Sequence, residues 1–410
     1  MSDPLNVLTR AQKEYDAPDS PGSVGWTRPQ RLQIADESNP LPLDCGRSLW
    51  PVTVEFETYG RLNEKRDNAI LILHALSGDA HVAGWDAQAE QDGRHWRVGR
   101  PGWWDTMVGP GKAFDTNLYF VICSNVLGSC YGTTGPSSTD PETGKPYGLR
   151  FPVTTVGDWV RLQERLVTYL GIRRLLAVAG GSLGGQQAIE WALAYPDRVR
   201  SAVVLAASPR LSAQGVAFNA VGRRAITTDP NFRSGDYYDD DPPARGLGVA
   251  RMIGHITYLS EVSMGRKFGR RLKNGDVPSF NLDPEFEVES YLRHQGKAFS
   301  ERFDANSYIY ISKAMDYFDA SVWGGGDLVE SAARSECAWL VVSFSSDWLY
   351  TPAQCKEWVD ALSANRLEVT YANIQSSYGH DAFLLEVDAV GHMVRSFVGG
   401  VARRAGIRLG

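Results

Sequence analysis

The sequence predicts an α/β protein: a mostly parallel sheet covered by helices on both faces and interrupted by a helical insertion. Three observations carry this reading. Short apolar runs alternate with helical stretches on both sides of a long segment poor in strand character. Several of those runs are continuous rather than alternating, as in strands buried on both faces. One of them enters a glycine-rich turn that leads straight into a helix.

Residues 1–30 are polar and rich in turn formers and read as a loose N-terminal tail. Val52-Thr53-Val54-Glu55-Phe56-Glu57 alternates apolar and polar, the pattern of a half-exposed antiparallel strand. Ala69-Ile70-Leu71-Ile72-Leu73-His74 is a continuous apolar run, hence a buried parallel strand, and it ends in the small-residue loop Ala75-Leu76-Ser77-Gly78-Asp79. Leu118 to Cys123 is another buried strand. Val156 to Leu170 carries apolar residues at helical spacing. Leu175 to Ala179 and Ala202 to Ala206 are the next strands. From Leu211 to about Glu330 strand character fades, and Val249–Leu259, Phe286–Phe299 and Ala305–Phe318 read as helices. Alternation resumes with a strand over Trp339–Phe344, a helix over Pro352–Leu362, a strand over Leu367–Tyr371, and a closing helix within Phe383–Val398. The domain reading is a core of 31–210 and 331–410 with a helical cap inserted at 211–330.

Gly180-Gly181-Ser182-Leu183-Gly184-Gly185 sits between a strand and a helix, the setting that a G-x-S-x-G nucleophile turn requires. The flanking glycines let backbone pass close by, and the strained turn presents the serine hydroxyl at a helix N-terminus. A serine hydroxyl is a weak nucleophile at neutral pH. It needs an imidazole to take its proton and a carboxylate to hold that imidazole in the right tautomer. Two of the seven histidines follow the insertion. His392 falls inside the closing helix, whereas His380 lies in a polar loop after the last strand, where a base belongs. Asp347 directly follows a strand and is the candidate acid; Asp381 competes, but adjacent residues rarely present side chains in the needed line. The candidate oxyanion donors are the backbone N–H groups of Leu183 and Leu76. His81, just beyond that loop, reads as structural. A parallel sheet, a helical cap and a serine–acid–histidine order together make the α/β-hydrolase fold.

Composition narrows the function classes. The formal net charge is −6, which leaves no general electrostatic footprint for nucleic acid or an anionic membrane. No apolar run approaches the ~20 residues of a membrane span. The N-terminus lacks the basic and apolar regions of a signal peptide. The five cysteines are odd in number and show no metal spacing, so a reduced, cytoplasmic setting and no metal are expected.

From about Val52 to Phe397 the chain resembles the α/β-hydrolase-type homoserine O-acyltransferase family. The resemblance rests on His74-Ala75-Leu76-Ser77-Gly78-Asp79-Ala80-His81, Gly102-Trp103-Trp104-Asp105, Gly109-Pro110-Gly111-Lys112 and Asn125-Val126-Leu127-Gly128. It continues through Gly132–Ser138, the serine turn, Ala250–Tyr258, Arg302–Tyr308, Ser346–Tyr350 and Gly379-His380-Asp381. Many members carry methionine after the nucleophile and again just after the next two glycines; here Leu183 and Gln186 or Gln187 stand in that neighbourhood.

The resemblance implies a ping-pong acyl transfer in methionine biosynthesis. Ser182 takes an acyl group from acyl-CoA, with His380 as base and Asp347 orienting it. The side-chain hydroxyl of L-homoserine then attacks the acyl-enzyme. By motif, Arg251 and Asp381 hold the amino acid's carboxylate and amine, with Tyr258 nearby, and a zwitterion entering a partly dry cleft needs such a pair. Succinyl-using relatives tend to place an arginine two residues after the catalytic aspartate. Leu349 stands there and points to acetyl-CoA as co-substrate, with no bound cofactor. The family implies a homodimer joined through the helical cap. Alternatives are a homoserine O-succinyltransferase, an esterase with the same triad, and a binding protein on a catalytically dead fold, against which the intact serine, acid and histidine argue.

Overall fold

The computed structural model describes residues 17–275 and 277–407. Its centre is an eight-stranded sheet: β1 (Gln30–Ala35), β2 (Val52–Tyr59), β3 (Ala69–Leu73), β4 (Phe120–Ser124), β5 (Ala177–Gly181), β6 (Ser201–Leu205), β7 (Ala338–Phe344) and β8 (Val369–Ile374). Their spatial order is β8-β7-β6-β5-β3-β4-β2-β1. β1 and β4 both run antiparallel to β2, and every other neighbouring pair is parallel. The apolar run of β3 and the run of β6, apolar after Ser201, are buried along their whole length, because helices cover both faces. Helices α1 (Val156–Tyr169) and α2 (Leu183–Ala194) pack beside each other on the core. The cap follows β6 as α3 (Ala213–Thr227), α4 (Ala244–Tyr258), α5 (Glu261–Lys267), α6 (Glu287–Ser300), α7 (Ala305–Tyr317) and the short α8 (Leu328–Ala332). The core then resumes with α9 (Pro352–Ala364), α10 (Ala382–Leu385) and α11 (Val387–Arg404).

Register sets where the site forms. Gly180 of β5 lies opposite Leu73 of β3, so the turn carrying Ser182 and the loop 74–78 leave the sheet side by side. Phe344 of β7 lies opposite Ile374 of β8, which brings the segments carrying Asp347 and His380 out together. Parallel strands end on one edge of the sheet, and four chain segments distant in sequence converge there.

Several expectations are corrected. Residues 1–16 of the expected tail lie outside the described residues, but 17–30 are not loose: Trp26–Thr27 pairs with Trp85–Asp86, and β1 begins at Gln30. β2 is antiparallel as expected, yet its polar face is not exposed. Glu55 and Glu57 are 0% and 1% exposed. Arg94 and Arg31 donate to Glu55, while Tyr59 donates to Glu57 and the His81 ring contacts it at 3.1 Å. The alternation marked polar residues correctly, but buried ion pairing replaced water. β5 starts two residues late and runs through Gly180 and Gly181, because a glycine adds nothing to an apolar pattern while its backbone still pairs. The last strand is likewise shifted, to Val369–Ile374. The closing helix is broken at Glu386 into α10 and α11. Helices α3 and α5 lie in stretches left unassigned by the sequence pattern.

Glu190 of α2 ties core to cap. It is 8% exposed, and the Trp323 indole N–H donates to it at 3.1 Å. Burial pushes its carboxyl up to about 7. A folded pKa above the unfolded one means stability that is present at low pH and is lost as pH rises through about 7. Glu190→Gln keeps an acceptor for Trp323 without the charge. It should be more stable than the parent at pH 8, by up to about 3 kcal/mol, and equal to it near pH 4. Urea unfolding at the two pH values checks this; an equal effect at both would remove the titration as the cause.

Candidate active site

Ser182 occupies the turn between β5 and α2 at φ 56°, ψ −126°, a strained conformation for a residue with a side chain. The neighbours make room for it. A β-carbon on Gly184 would run into the Leu73 carbonyl oxygen, and one on Gly180 would lie 2.6 Å from the same atom. Two amides flank the hydroxyl's turn. Neither the Leu183 nor the Leu76 backbone N–H donates to a protein acceptor among the described residues. Buried N–H groups are rarely left unpaired, so two beside a strained serine are suited to an oxygen that gains charge.

The loop bearing Leu76 is held from several sides. His74 donates from Nδ1 to the Ala75 carbonyl at 2.8 Å and accepts at Nε2 from the Val126 amide at 3.1 Å. Both ring nitrogens are therefore used by a neutral imidazole, and burial lowers its pKa. The Gln187 side chain donates to the His74 carbonyl at 3.0 Å; Gln163 donates to Gln187 at 2.8 Å, and Trp191 to Gln163 at 2.8 Å. This buried chain locks α1 and α2 to the loop. Sequence reading noted Gln187 only as a departure from methionine; glutamines at two buried helical positions were the available signal. From the cap, Arg302 donates to the Ser77 carbonyl at 3.4 Å and to the Tyr131 hydroxyl at 2.6 Å.

His380 and Asp347 meet as expected. His380 Nδ1 lies 2.7 Å from Asp347 Oδ2, and both side chains are buried. The other Asp347 oxygen accepts from the Leu349 and Tyr350 amides, each at 2.9 Å, so the carboxylate is fixed before it meets the ring. Burial alone would lower the pKa of His380, but the Asp347 charge and hydrogen bond outweigh it and raise the pKa above the ordinary value. Asp381 does not bond to that imidazole. Tyr350 stacks on the His380 ring with centroids 5.2 Å apart, and Phe383 packs at 5.7 Å. Neither aromatic was singled out from the sequence, since nothing in an apolar pattern separates ring packing at a site from ordinary core. His81 sits away on the Glu57 side, in the buried polar group under β2, and His392 is exposed on α11.

The cap completes the site. Arg251 donates to the Ser77 hydroxyl at 3.3 Å, and its guanidinium lies 5.6 Å from the Tyr258 ring centroid and 4.7 Å from that of Phe299. Tyr258 is 6.0 Å from the His380 ring. Burial pushes Asp381 up to about 6, against the pull of His380 and Arg251. Arg251 forms no ion pair with Asp381 among the described residues, and both charges act on Tyr258, which lies against the His380 ring. Ser182, Leu76, Tyr258, Leu349 and Tyr350 line one narrow cavity of about 40 Å³. Space for a water is roughly 10–15 Å³, so it takes a very small group. Among the described residues that line it, none is lysine or arginine.

Sheet order, strained serine turn and His380–Asp347 pair together are those of an α/β-hydrolase-fold protein. A family model described as alpha/beta hydrolase fold matches residues 68–387. The chain is 52% identical over 378 residues to a homoserine O-acetyltransferase of Solidesulfovibrio magneticus, covering 92% of this chain and 93% of that protein. It is equally 52% identical over 386 residues to a homoserine O-succinyltransferase of Acidithiobacillus ferrooxidans, covering 94% and 98%. A crystal structure of homoserine O-acetyltransferase from Bacillus anthracis superposes with TM-score 0.81 at 30% identity, covering 91% of this chain and 97% of that one. Esterase E22 superposes with TM-score 0.80 at 29% identity, covering 91% and 99%. The chain belongs to the homoserine O-acyltransferase family of the α/β-hydrolase fold and is an acyltransferase. No helix among the described residues is long and apolar enough to cross a membrane.

Proposed function

We propose that this enzyme moves an acetyl group from acetyl-CoA to the side-chain hydroxyl of L-homoserine through an acetyl-Ser182 intermediate. The Ser182 oxygen attacks the thioester carbonyl while His380 takes its proton. The oxyanion forms against the Leu76 and Leu183 amides. The thiol leaves with the proton from His380, and the homoserine hydroxyl then repeats the sequence in reverse, freeing Ser182. Asp347 holds the imidazole and stabilises its charged form.

The observation that carries the choice of acetyl is the narrow cavity over Ser182 with no cation in its lining. A succinyl group would bring a carboxylate there, and an unpaired buried charge is costly. Relatives with either donor are equally similar to this chain, so the pocket weighs more than the names. Leu349→Arg should move the ratio of kcat/KM values toward succinyl-CoA. Competition between the two CoA esters at saturating homoserine measures it, and an unchanged ratio would mean that Leu349 does not contact the acyl group.

Arg251 and Asp381 are proposed to receive the acceptor's carboxylate and amine. Arg251→Ala should weaken homoserine use by at least roughly 30-fold, the low end of the about 2–5 kcal/mol for a charge left without its partner. Formation of acetyl-Ser182 should change little. Single-turnover acylation and steady-state acceptor kinetics separate the two halves, and unaltered acceptor kinetics would move the amino-acid site elsewhere. The likeness to esterase E22 supports a second reading, hydrolysis. Thiol release from acetyl-CoA with and without L-homoserine discriminates: transfer requires the acceptor, whereas equal turnover without it makes the enzyme a thioesterase.

A further inference from the structure

The far edge of the sheet carries an unexplained concentration of positive charge. Lys65 and Arg66 precede β3, Arg173 and Arg174 precede β5, and Arg198 and Arg200 precede β6. All six line one open cavity of about 750 Å³. The parallel strands separate it from Ser182, since those residues lie at their N-terminal ends and the nucleophile follows their C-terminal ends. Among the described residues only two carboxylates share the lining, Asp67 and Asp197, and Asp67 already accepts from Asn63 at 2.7 Å. The whole chain is net negative at −6, so the cluster is not a reflection of its average composition.

Part of this charge is structural. Arg66 donates to the Leu170 carbonyl at 3.0 Å, just past the end of α1. Arg198 pairs with Glu164 and donates to the carbonyls of Arg173 and Ile172. Cations at a helix C-terminus are favourable, and these two need no other reason. The rest are different. Lys65, Arg173 and Arg200 have no carboxylate within ion-pair distance among the described residues, and Arg174 donates only to the Val199 carbonyl at 3.2 Å. The Nε atoms of Arg174 and Arg200 are both shut off from solvent and have no acceptor. Burial and the neighbouring Arg174 charge lower the pKa of Arg200 against the pull of Asp67, so Arg174 and Arg200 repel one another across a shared space. Like charges held together with too few counterions cost stability, and an anion entering the cavity would reverse that.

We propose that this cavity is a binding site, separate from the acyl-transfer centre, for a small anion bearing two or more phosphate groups. Guanidinium forks match phosphate oxygens in pairs, and four cations without a carboxylate partner among the described residues exceed what one phosphate can use. A bare polyphosphate and a nucleotide share this chemistry, and the test separates them.

Isothermal titration of the full-length protein with inorganic pyrophosphate, with ATP and with orthophosphate is the experiment. Pyrophosphate should bind more tightly than orthophosphate, and binding should weaken steeply with added salt. Each of Arg173→Gln and Arg200→Gln should weaken it by roughly tenfold, the scale of one lost charged hydrogen bond. Ser182→Ala should bind as the parent does. Tighter ATP than pyrophosphate identifies a nucleotide; equal affinities identify the polyphosphate alone. If Arg200→Gln does not fold, Lys65→Gln with Arg173→Gln, both exposed, serves in its place. No pyrophosphate binding at low salt, or binding unchanged in the arginine variants, overturns the proposal.

Discussion

Ser182→Ala is expected to remove thiol release from acetyl-CoA, by at least about 10⁴-fold, because loss of the nucleophile closes the covalent route altogether. The parent protein incubated with acetyl-CoA and no acceptor should gain one acetyl group on Ser182, located by peptide mass spectrometry. The variant should gain none there. The strained turn is retained in the variant, since Gly180 and Gly184 and not the hydroxyl make room for it. Thermal stability should therefore stay within about 1 kcal/mol of the parent. An acetyl group on a cysteine, or turnover surviving in Ser182→Ala, would displace Ser182 from the mechanism.

Asp347→Asn should cost about 10⁴-fold in kcat, the scale at which an asparagine in this position leaves an imidazole in the wrong tautomer. The pH profile adds a readout that a merely packing role would not move. In the parent, burial opposes charge on His380 but Asp347 overrides it and raises the pKa. The base works when neutral, so activity rises with pH through that raised value. With Asp347 neutralised, burial, the largest influence, is opposed only by the weaker pull of Asp381, and the pKa falls. The residual activity should then keep its level to lower pH than the parent does. An acid limb in the same place for both proteins would mean that Asp347 does not set the basicity of His380.

Much of this site was legible in the chain because its chemistry is bound to short local patterns. A serine between glycines after an apolar run can be read without knowing what lies opposite. The same holds for a histidine in the loop after the last strand and an aspartate just past the strand before it. The choice between Asp347 and Asp381 is less local. The carboxylate that meets His380 Nδ1 depends on β7 and β8 pairing so that Phe344 faces Ile374. The family resemblance pointed to Arg251, Asp381 and Tyr258; helix α4 of the cap brings Arg251 and Tyr258 over His380, whose chain neighbour is Asp381.

What the sequence alone determined is what depends on neighbours along the chain: the alternation that makes the parallel sheet, the helical insertion, the strained serine turn and the loop that carries His380. What tertiary structure decided is what depends on neighbours across it. The alternation in Val52–Glu57 said polar and therefore exposed, but Arg31, Arg94 and His81 arrive from elsewhere to pair Glu55 and Glu57 in the interior. The Gln187–Gln163–Trp191 chain exists only because α1 packs on α2. The six cations at the far edge come from three segments spread over 136 positions, from Lys65 to Arg200, and parallel strands gather their starts onto one rim. Periodicity records which face a residue prefers; only the fold records what that face meets.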